Sequence, residues 1–141
     1  MIAYVDSSVL LRYVLGEPDA LPELNSFDVA VSSTLLHLEV SRTLDRLWLR
    51  HEISDDELAE KTSRAGELLQ SFVTLELDQN IIDLAGQSFS QPIATLDALH
   101  LASAMLYRQE QPSHEPPIII ATHDKQLARA ADAMHFDVVG A

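Results

Sequence analysis

Short apolar runs alternate along the chain with longer stretches of helical period. The strand-like runs are residues 2–5, 29–31, 72–77, 118–121 and 136–139. Between them the spacing of apolar residues predicts helices, several of which begin at serine, threonine or aspartate. This alternation favours an α/β fold with a mostly parallel central sheet, because right-handed crossovers place helices on both faces of such a sheet.

Two of the predicted helices are long and follow each other directly. The first covers residues 34–51, and the second begins at Ser54 with a capping-box sequence and runs to about Gln70. Because the connection between them is short, we expect a helical hairpin over residues 34–70.

The chain has the size and composition of one domain. Its 141 residues, 47% of them hydrophobic, suffice for a real core. A further helix is predicted over residues 96–108, with Leu96 available to the core. The polar, proline-rich segment 109–117 is then a surface loop and not a linker between domains. We expect a single domain over residues 1–141.

The chain contains no cysteine. Disulfide frameworks and thiolate metal sites are therefore excluded, and oxygen and imidazole are left as metal ligands. The first apolar run meets Asp6 at once and lacks a basic leader, and no apolar stretch approaches the roughly 20 residues that a bilayer requires. These features predict a cytoplasmic protein.

Acidic residues stand where predicted strands end or predicted helices begin. Asp6 follows the first strand, Asp124 comes soon after the strand at 118–121, and Asp97 lies near the start of a helix. Glu39 lies in the helix that follows the second strand. Because ligands bind outside the carboxyl ends of parallel strands, we expect these four residues to converge on one edge of the sheet.

Each acidic residue also has an ordinary structural explanation. Asp6, Asp97 and Asp124 stand at helix starts, where an aspartate caps the helix and complements its dipole. Glu39 shares a helix face with Arg42 and fits a solvated, paired surface equally well. The complete set favours function, because four anionic groups on one edge repel each other unless a hard divalent cation neutralises them.

Magnesium, or manganese in its place, is the natural occupant of such a cluster. Phosphodiester hydrolysis needs a water made nucleophilic near neutral pH and a cation that stabilises the leaving oxygen, and one or two bound ions supply both. The residues therefore predict metal-dependent phosphodiester chemistry, with the metal ligands and catalytic groups provided by Asp6, Glu39, Asp97 and Asp124.

Four short segments carry a resemblance to a known family. They are YVDSS at 4–8, LEVSR at 38–42, LDALHLA at 96–102 and ATHDKQL at 121–127. Together they resemble the PIN-domain nucleases, and more narrowly the VapC-type toxins of bacterial toxin-antitoxin pairs, over essentially the whole chain. The resemblance implies a PIN-like three-layer α/β/α fold and a Mg²⁺-dependent ribonuclease.

The resemblance also implies roles for single residues. Asp6 and Asp97 would bind Mg²⁺, and Glu39 and Asp124 would complete the acidic quartet. Thr122 would orient Asp124 or a metal-bound water through its hydroxyl, and it also fits a helix cap.

Partners follow from the resemblance alone. VapC-type proteins are typically homodimers that act on RNA. They are inhibited by a cognate VapB-like antitoxin, whose C-terminal segment lies over the acidic site and inserts a basic side chain. Of the histidines, His100 is expected to pack beside Asp97 without ligating a metal, and His123 is assigned no role.

The charge balance runs against nucleic-acid binding. Lysine and arginine total 9 against 22 aspartates and glutamates, which gives a net charge of −13, whereas proteins that hold nucleic acid usually carry basic surface. Arg42, Arg46 and Arg50 nevertheless recur every four residues as a basic ridge. Ser7, Arg42 and Arg46 are candidate substrate contacts, and pairing of the arginines with acids such as Asp45 is the alternative.

Other aspartate-based domains fit the motifs less well. A phosphotransfer receiver needs an adjacent acidic pair after the first strand, where Asp6 is followed by Ser7. A haloacid-dehalogenase-type phosphatase needs a second aspartate where Ser8 stands. A catalytically silent PIN-like module that only binds a protein partner is a third alternative, and the four-acid set argues against it.

Overall fold

The five apolar runs form the strands of one parallel sheet. The structure, a computed structural model, describes residues 1–20 and 22–141. Its sheet has the order β3-β2-β1-β4-β5, and every neighbouring pair is parallel. The strands are β1 (Ile2–Val5), β2 (Val29–Ser33), β3 (Val73–Leu75), β4 (Ile119–Ala121) and β5 (Val138–Val139). The predicted parallel α/β fold is confirmed, with β5 at one edge.

Helices connect successive strands, as the alternation predicts. They are α1 (Ser7–Leu15), α2 (Thr34–Leu49), α3 (Asp55–Gln70), α4 (Gln79–Ala85), α5 (Thr95–Glu110) and α6 (Lys125–Ala133), and a short 3-10 helix covers Pro22–Ser26. The predicted hairpin is confirmed, because α2 and α3 pack against each other. The capping box is also present: Ser54 accepts from the Glu57 amide at 3.1 Å, and the Glu57 carboxylate accepts from the Ser54 amide at 3.2 Å.

Alternate residues of the central strands point to two separate cores. Ala3 and Val5 of β1 pack with the buried residues of α1, α2 and α3, whereas Ile2 and Tyr4 pack with those of α5 and α6. This period of two is the geometry of a strand that is buried on both faces. The expected three-layer α/β/α arrangement is confirmed.

The direction in which the chain crosses the sheet reverses beside β1. From β1 the chain moves to β2 and β3 on one side, and it later returns to β4 and β5 on the other. Such a reversal leaves a crevice at the carboxyl ends of β1 and β4, where open α/β sheets bind ligands. Asp6 follows β1 and Thr122 follows β4, so both residues lie at this crevice.

Helix α5 differs from the sequence expectation in two details. Leu96, expected to be available to the core, is 46% exposed. Helix α5 runs to Glu110, two residues beyond the predicted end, and the loop that follows is largely exposed. Within the described part of the chain, no helix combines the length and apolarity needed to traverse a bilayer.

Candidate active site

Asp6 is a buried carboxylate held by side-chain hydroxyls. It occupies the N-cap position of α1, yet its side chain makes no capping hydrogen bond. Its Oδ2 instead accepts hydrogen bonds from Ser8 Oγ and Thr122 Oγ1, both at 2.7 Å. Helix capping therefore does not explain Asp6. The hydroxyls of Ser8 and Thr122, and not the amides of the first helical turn, orient this carboxylate.

Thr122 joins the carboxyl ends of β1 and β4. It is fully buried, and its Oγ1 donates to Asp6 and accepts from the backbone amide of Asp124 at 3.0 Å. The hydroxyl of Thr122 thus contacts Asp124 through the Asp124 backbone amide, while its proton goes to Asp6, and the predicted orienting role of Thr122 stays a prediction. Ser8, which the motif contains but to which no role was given, completes this arrangement by accepting from the His123 amide at 2.9 Å.

Asp124 caps α6, as its ordinary structural explanation requires. Its Oδ1 accepts from the amides of Gln126 at 2.8 Å and Leu127 at 3.0 Å. Capping does not exhaust its role, because the charge of Asp124 also acts on Asp97. The capping explanation of Asp124 is confirmed, and its role as a metal ligand stays a prediction.

The pKa of Asp97 depends on the charges of the other three acidic residues. Burial, and then the negative charges of Asp124, Asp6 and Glu39, raise the pKa of Asp97 from 3.8 to about 6, against an opposing effect of His100. The hydrogen bonds give the geometry directly: Ser7 Oγ lies 3.4 Å from Asp6 Oδ1 and 3.0 Å from Glu39 Oε2, and Thr122 Oγ1 contacts both Asp6 and the Asp124 amide. These acids come from separate segments and lie at one edge of the sheet, and their charges act on Asp97.

Glu39 does not belong to a solvated arginine-paired surface. Its Oε2 accepts from Ser7 Oγ at 3.0 Å, and its Oε1 is hydrogen-bonded to Nε2 of the buried His100. Arg42 turns instead to Asp45, with its Nη1 3.1 Å from Oδ2. The alternative given above for the arginines therefore holds for Arg42, whereas the corresponding alternative for Glu39 is wrong.

His100 is the residue that sequence reasoning undervalued. It lies one helical turn after Asp97, but its ring is hydrogen-bonded through Nδ1 to Tyr4 Oη at 2.8 Å and through Nε2 to Glu39. Its Nε2 also lies 3.9 Å from Asp6 Oδ1. The available signal was its place on the helix face of Asp97, together with a tyrosine in β1.

The environment of His100 favours its charged form. Burial lowers the pKa of an imidazole, but the hydrogen bond to Glu39 and the nearby Tyr4 and Asp6 outweigh burial and raise the pKa of His100 to about 10. As an imidazolium, the ring donates from Nε2 to Glu39 and from Nδ1 to Tyr4. It therefore offsets part of the negative charge of the cluster.

A pocket of about 340 Å³ adjoins this cluster along α2. We call it the α2 pocket, and its lining residues are Ser7, Leu35, Leu38, Glu39, Arg42, Thr43, Arg46 and Leu96. The three candidate substrate contacts, Ser7, Arg42 and Arg46, thus lie on one surface together with Glu39. Arg50 does not line it.

The donor chemistry of the cluster suits a hard divalent cation. Its free groups are carboxylate oxygens, and the raised pKa of Asp97 reflects negative charge that a cation would neutralise. Within residues 1–20 and 22–141, no three aspartate, glutamate or histidine side chains already form a coordination set. Ligation would therefore require side-chain rotation of the half-buried Asp97 and Asp124.

A family model for the PIN domain matches residues 3–133. This chain belongs to the PIN-domain family. Two curated relatives from Mycobacterium tuberculosis are of the VapC type, and so is this chain. It is 36% identical to Ribonuclease VapC46 over 104 residues, which cover 72% of each chain. It is 31% identical to Ribonuclease VapC47 over 107 residues, 76% of this chain and 77% of the relative.

Solved structures show the same fold at low sequence identity. FitAcB from Neisseria gonorrhoeae aligns with a TM-score of 0.72 at 19% identity, over 98% of this chain and 96% of the other. PAE2754 from Pyrobaculum aerophilum gives 0.67 at 16%, over 98% and 83%. VapBC2 from Rickettsia felis, bound to a DNA fragment from its promoter, gives 0.66 at 12%, over 98% and 97%. These likenesses establish the fold.

Proposed function

We propose that this chain is a divalent-metal-dependent endoribonuclease that hydrolyses RNA phosphodiester bonds. The observation that carries the proposal is that carboxylates from separate segments meet at one edge of the sheet. Ser7 Oγ lies 3.4 Å from Asp6 and 3.0 Å from Glu39, Thr122 Oγ1 contacts Asp6 and the Asp124 amide, and the charges of these acids also raise the pKa of Asp97. The names of the two curated relatives, both ribonucleases, point to RNA as the substrate.

Asp6, Glu39, Asp97 and Asp124 would hold Mg²⁺, with Mn²⁺ as a substitute, by their carboxylate oxygens. A cation bound there supplies charge stabilisation for the scissile phosphate and lowers the pKa of a bound water. The chain itself contributes order: Thr122 and Ser8 fix Asp6, and Ser7 and His100 fix Glu39. Because these hydroxyls and the imidazole already orient Asp6 and Glu39, only Asp97 and Asp124 would need to rotate when a cation binds.

The direct test is cleavage of RNA by purified protein that is free of any partner. Single-stranded and structured RNAs are incubated with Mg²⁺ or Mn²⁺, and parallel samples contain EDTA. We expect cleavage only with metal, and its loss in Asp6→Asn and Asp97→Asn. Glu67→Gln is the matched control, because it removes an exposed carboxylate from α3 outside the cluster.

The outcomes separate the proposal from its rival. Equal cleavage by both aspartate variants, or cleavage that persists in EDTA, rejects the assignment of the site. Partner binding without cleavage under any metal would instead indicate a catalytically silent PIN-like module. Sequencing the cleaved RNA ends from expressing cells then identifies which RNA is the target.

We further propose a homodimer that is inhibited by a cognate antitoxin in the cytoplasm. One of the solved structures that share the fold is described as a toxin-antitoxin complex from Klebsiella pneumoniae, with a TM-score of 0.61 at 19% identity over 89% of this chain and 90% of the other. The surplus of 22 acidic over 9 basic residues suits a partner that presents a basic side chain to the acidic site. Light scattering measures the oligomeric state, and a monomer would contradict the proposed dimer. Added antitoxin should abolish cleavage at an equimolar amount, and cleavage that the antitoxin does not affect would contradict the proposed inhibition.

A further inference from the structure

Leu38 and Leu96 form an exposed apolar patch in the α2 pocket. The side chain of Leu38 is 57% exposed and that of Leu96 is 46% exposed. They come from different helices, α2 and α5, yet both line the α2 pocket with the more buried Leu35. Two solvent-exposed leucines beside a polar site favour the binding of an apolar or flat ligand.

The same pocket holds cationic groups in a strongly acidic protein. Arg42 and Arg46 line it, and the chain has only 9 lysines and arginines at a net charge of −13. The guanidinium of Arg42 is engaged by Asp45. Arg46 is exposed and has no ion pair within the described residues, so its charge is available to a ligand. Positive charge placed against the overall balance favours an anion with a flat or apolar portion.

The α2 pocket is continuous with the acidic cluster. Its wall includes Glu39 and Ser7, and Ser7 Oγ donates to the Glu39 carboxylate at 3.0 Å. A ligand that fills the pocket is therefore next to a carboxylate that would help to hold the cation at the scissile phosphate. The part of a bound substrate that reaches the pocket is therefore the unit next to the scissile phosphate.

We propose that the α2 pocket binds the nucleotide adjacent to the scissile phosphate, with an unpaired base against Leu38 and Leu96 and the phosphate of that nucleotide near Arg46. The inference rests on the proposed ribonuclease function and deepens it. A base can enter such a pocket only when it is unstacked and unpaired, because stacking covers the faces of the bases in an RNA duplex. The pocket thus selects single-stranded segments, loops or bulges.

Binding to a labelled, unstructured RNA oligonucleotide, measured by fluorescence anisotropy in EDTA, tests the pocket without cleavage. Leu38→Ser and Arg46→Gln remove the apolar and the cationic contact. Arg50→Gln is the matched control, since it removes one arginine of the same ridge outside the pocket. All three side chains are exposed, so the variants should keep the fold, which thermal unfolding checks.

We expect Arg46→Gln to weaken binding about tenfold and Leu38→Ser about fivefold, with Arg50→Gln close to wild type. With an RNA that carries an abasic nucleotide at the position flanking the cut, wild type should lose affinity and Leu38→Ser should lose no more. Duplex RNA should bind wild type and Leu38→Ser equally. In cleavage assays the same variants should raise KM and leave kcat nearly unchanged.

The failures of the two proposals are distinguishable. Normal cleavage, with Leu38→Ser and Arg46→Gln indistinguishable from Arg50→Gln, overturns the pocket and leaves the nuclease intact. Pocket-dependent RNA binding without any cleavage supports the pocket and overturns the nuclease. If Leu38→Ser changes the oligomeric state and not RNA affinity, a second copy covers the patch and the nucleotide proposal is wrong.

Discussion

Replacing Asp97 by asparagine should stabilise the metal-free protein while it abolishes activity. The pKa of Asp97 is raised from 3.8 to about 6, so the folded state favours the protonated carboxyl. At pH 7 the folded protein must keep this carboxylate ionised against burial and three neighbouring acids. Asparagine removes the charge, retains the shape and relieves this cost.

The expected gain in the free energy of unfolding follows from the pKa change of Asp97 and from the exposure of its side chain. A pKa that moves from 3.8 to about 6 corresponds to about 3 kcal/mol at full strength. Asp97 is only half buried, so solvent screening reduces this to roughly 1 kcal/mol. For a chain of this length, such a gain raises Tm by about 3 °C.

The raised pKa of Asp97 determines the pH range in which Asp97→Asn stabilises the protein. Between pH 3.8 and about 6 the folded state binds more protons at Asp97 than the unfolded state, so stability falls as pH rises through this range. The advantage of Asp97→Asn should therefore be absent near pH 3.5 and complete at pH 7. Urea unfolding of both proteins in EDTA at several pH values measures it, with Glu67→Gln as the control.

Metal supplies a second readout in the same assay. Added Mg²⁺ or Mn²⁺ should raise the Tm of wild type, because the cation binds only the folded cluster, and should do so much less in Asp97→Asn. Cleavage should fall by more than about a hundredfold in the variant. If Asp97→Asn instead lowers stability at pH 7, the carboxylate is a favourable helix-terminal charge, and the reasoning about a strained acidic cluster is refuted.

Three further outcomes test the scaffold around the site. Gly140→Ala should destabilise the fold by about 2 kcal/mol, because Gly140 has φ +95° and a Cβ there would lie 2.8 Å from the Thr122 carbonyl oxygen. Gly66→Ala, which places its Cβ in open space on α3, should stabilise the fold by about 0.5 kcal/mol. Urea unfolding measures both variants, and equal effects would contradict the argument. Ser54→Ala should cost about 1 kcal/mol through loss of the capping box, and an unchanged urea midpoint would count against that contribution. Because the pKa of His100 is raised from 6.5 to about 10, its contribution to stability is full below pH 6.5 and is lost as pH rises towards 10; in His100→Asn this difference between pH 6 and 9 should shrink, and an identical pH dependence would show that the imidazole is neutral.

The order and type of the elements could be read from local patterns. A strand buried on both faces is a short apolar run, and a helix start shows itself by serine or aspartate, as at Ser54. Because the alternation of these signals permits few topologies, the parallel sheet and the placing of Asp6 at its carboxyl edge followed. What local patterns did not determine was which side chains bond to each other at that edge.

Leu96 and His100 show why. Both lie on α5, and the sequence assigned the leucine to the core and left the histidine beside Asp97. The structure exposes Leu96 in the α2 pocket and buries His100 between Tyr4 and Glu39. Helical period gives the relative directions of side chains on one helix, but the rotation of that helix against the sheet depends on packing with every neighbour.

By itself, then, the sequence determined the succession of strands and helices, the residue types available to a cation, and the family to which the chain belongs. Only the tertiary structure decided that Asp6 does not cap its helix, that Glu39 turns to Ser7 and His100 and not to Arg42, and that a pocket adjoins Glu39. The physical reason is range. Backbone preferences act over a few neighbouring residues, whereas charge, burial and hydrogen bonding at the site join residues separated by as many as 116 positions.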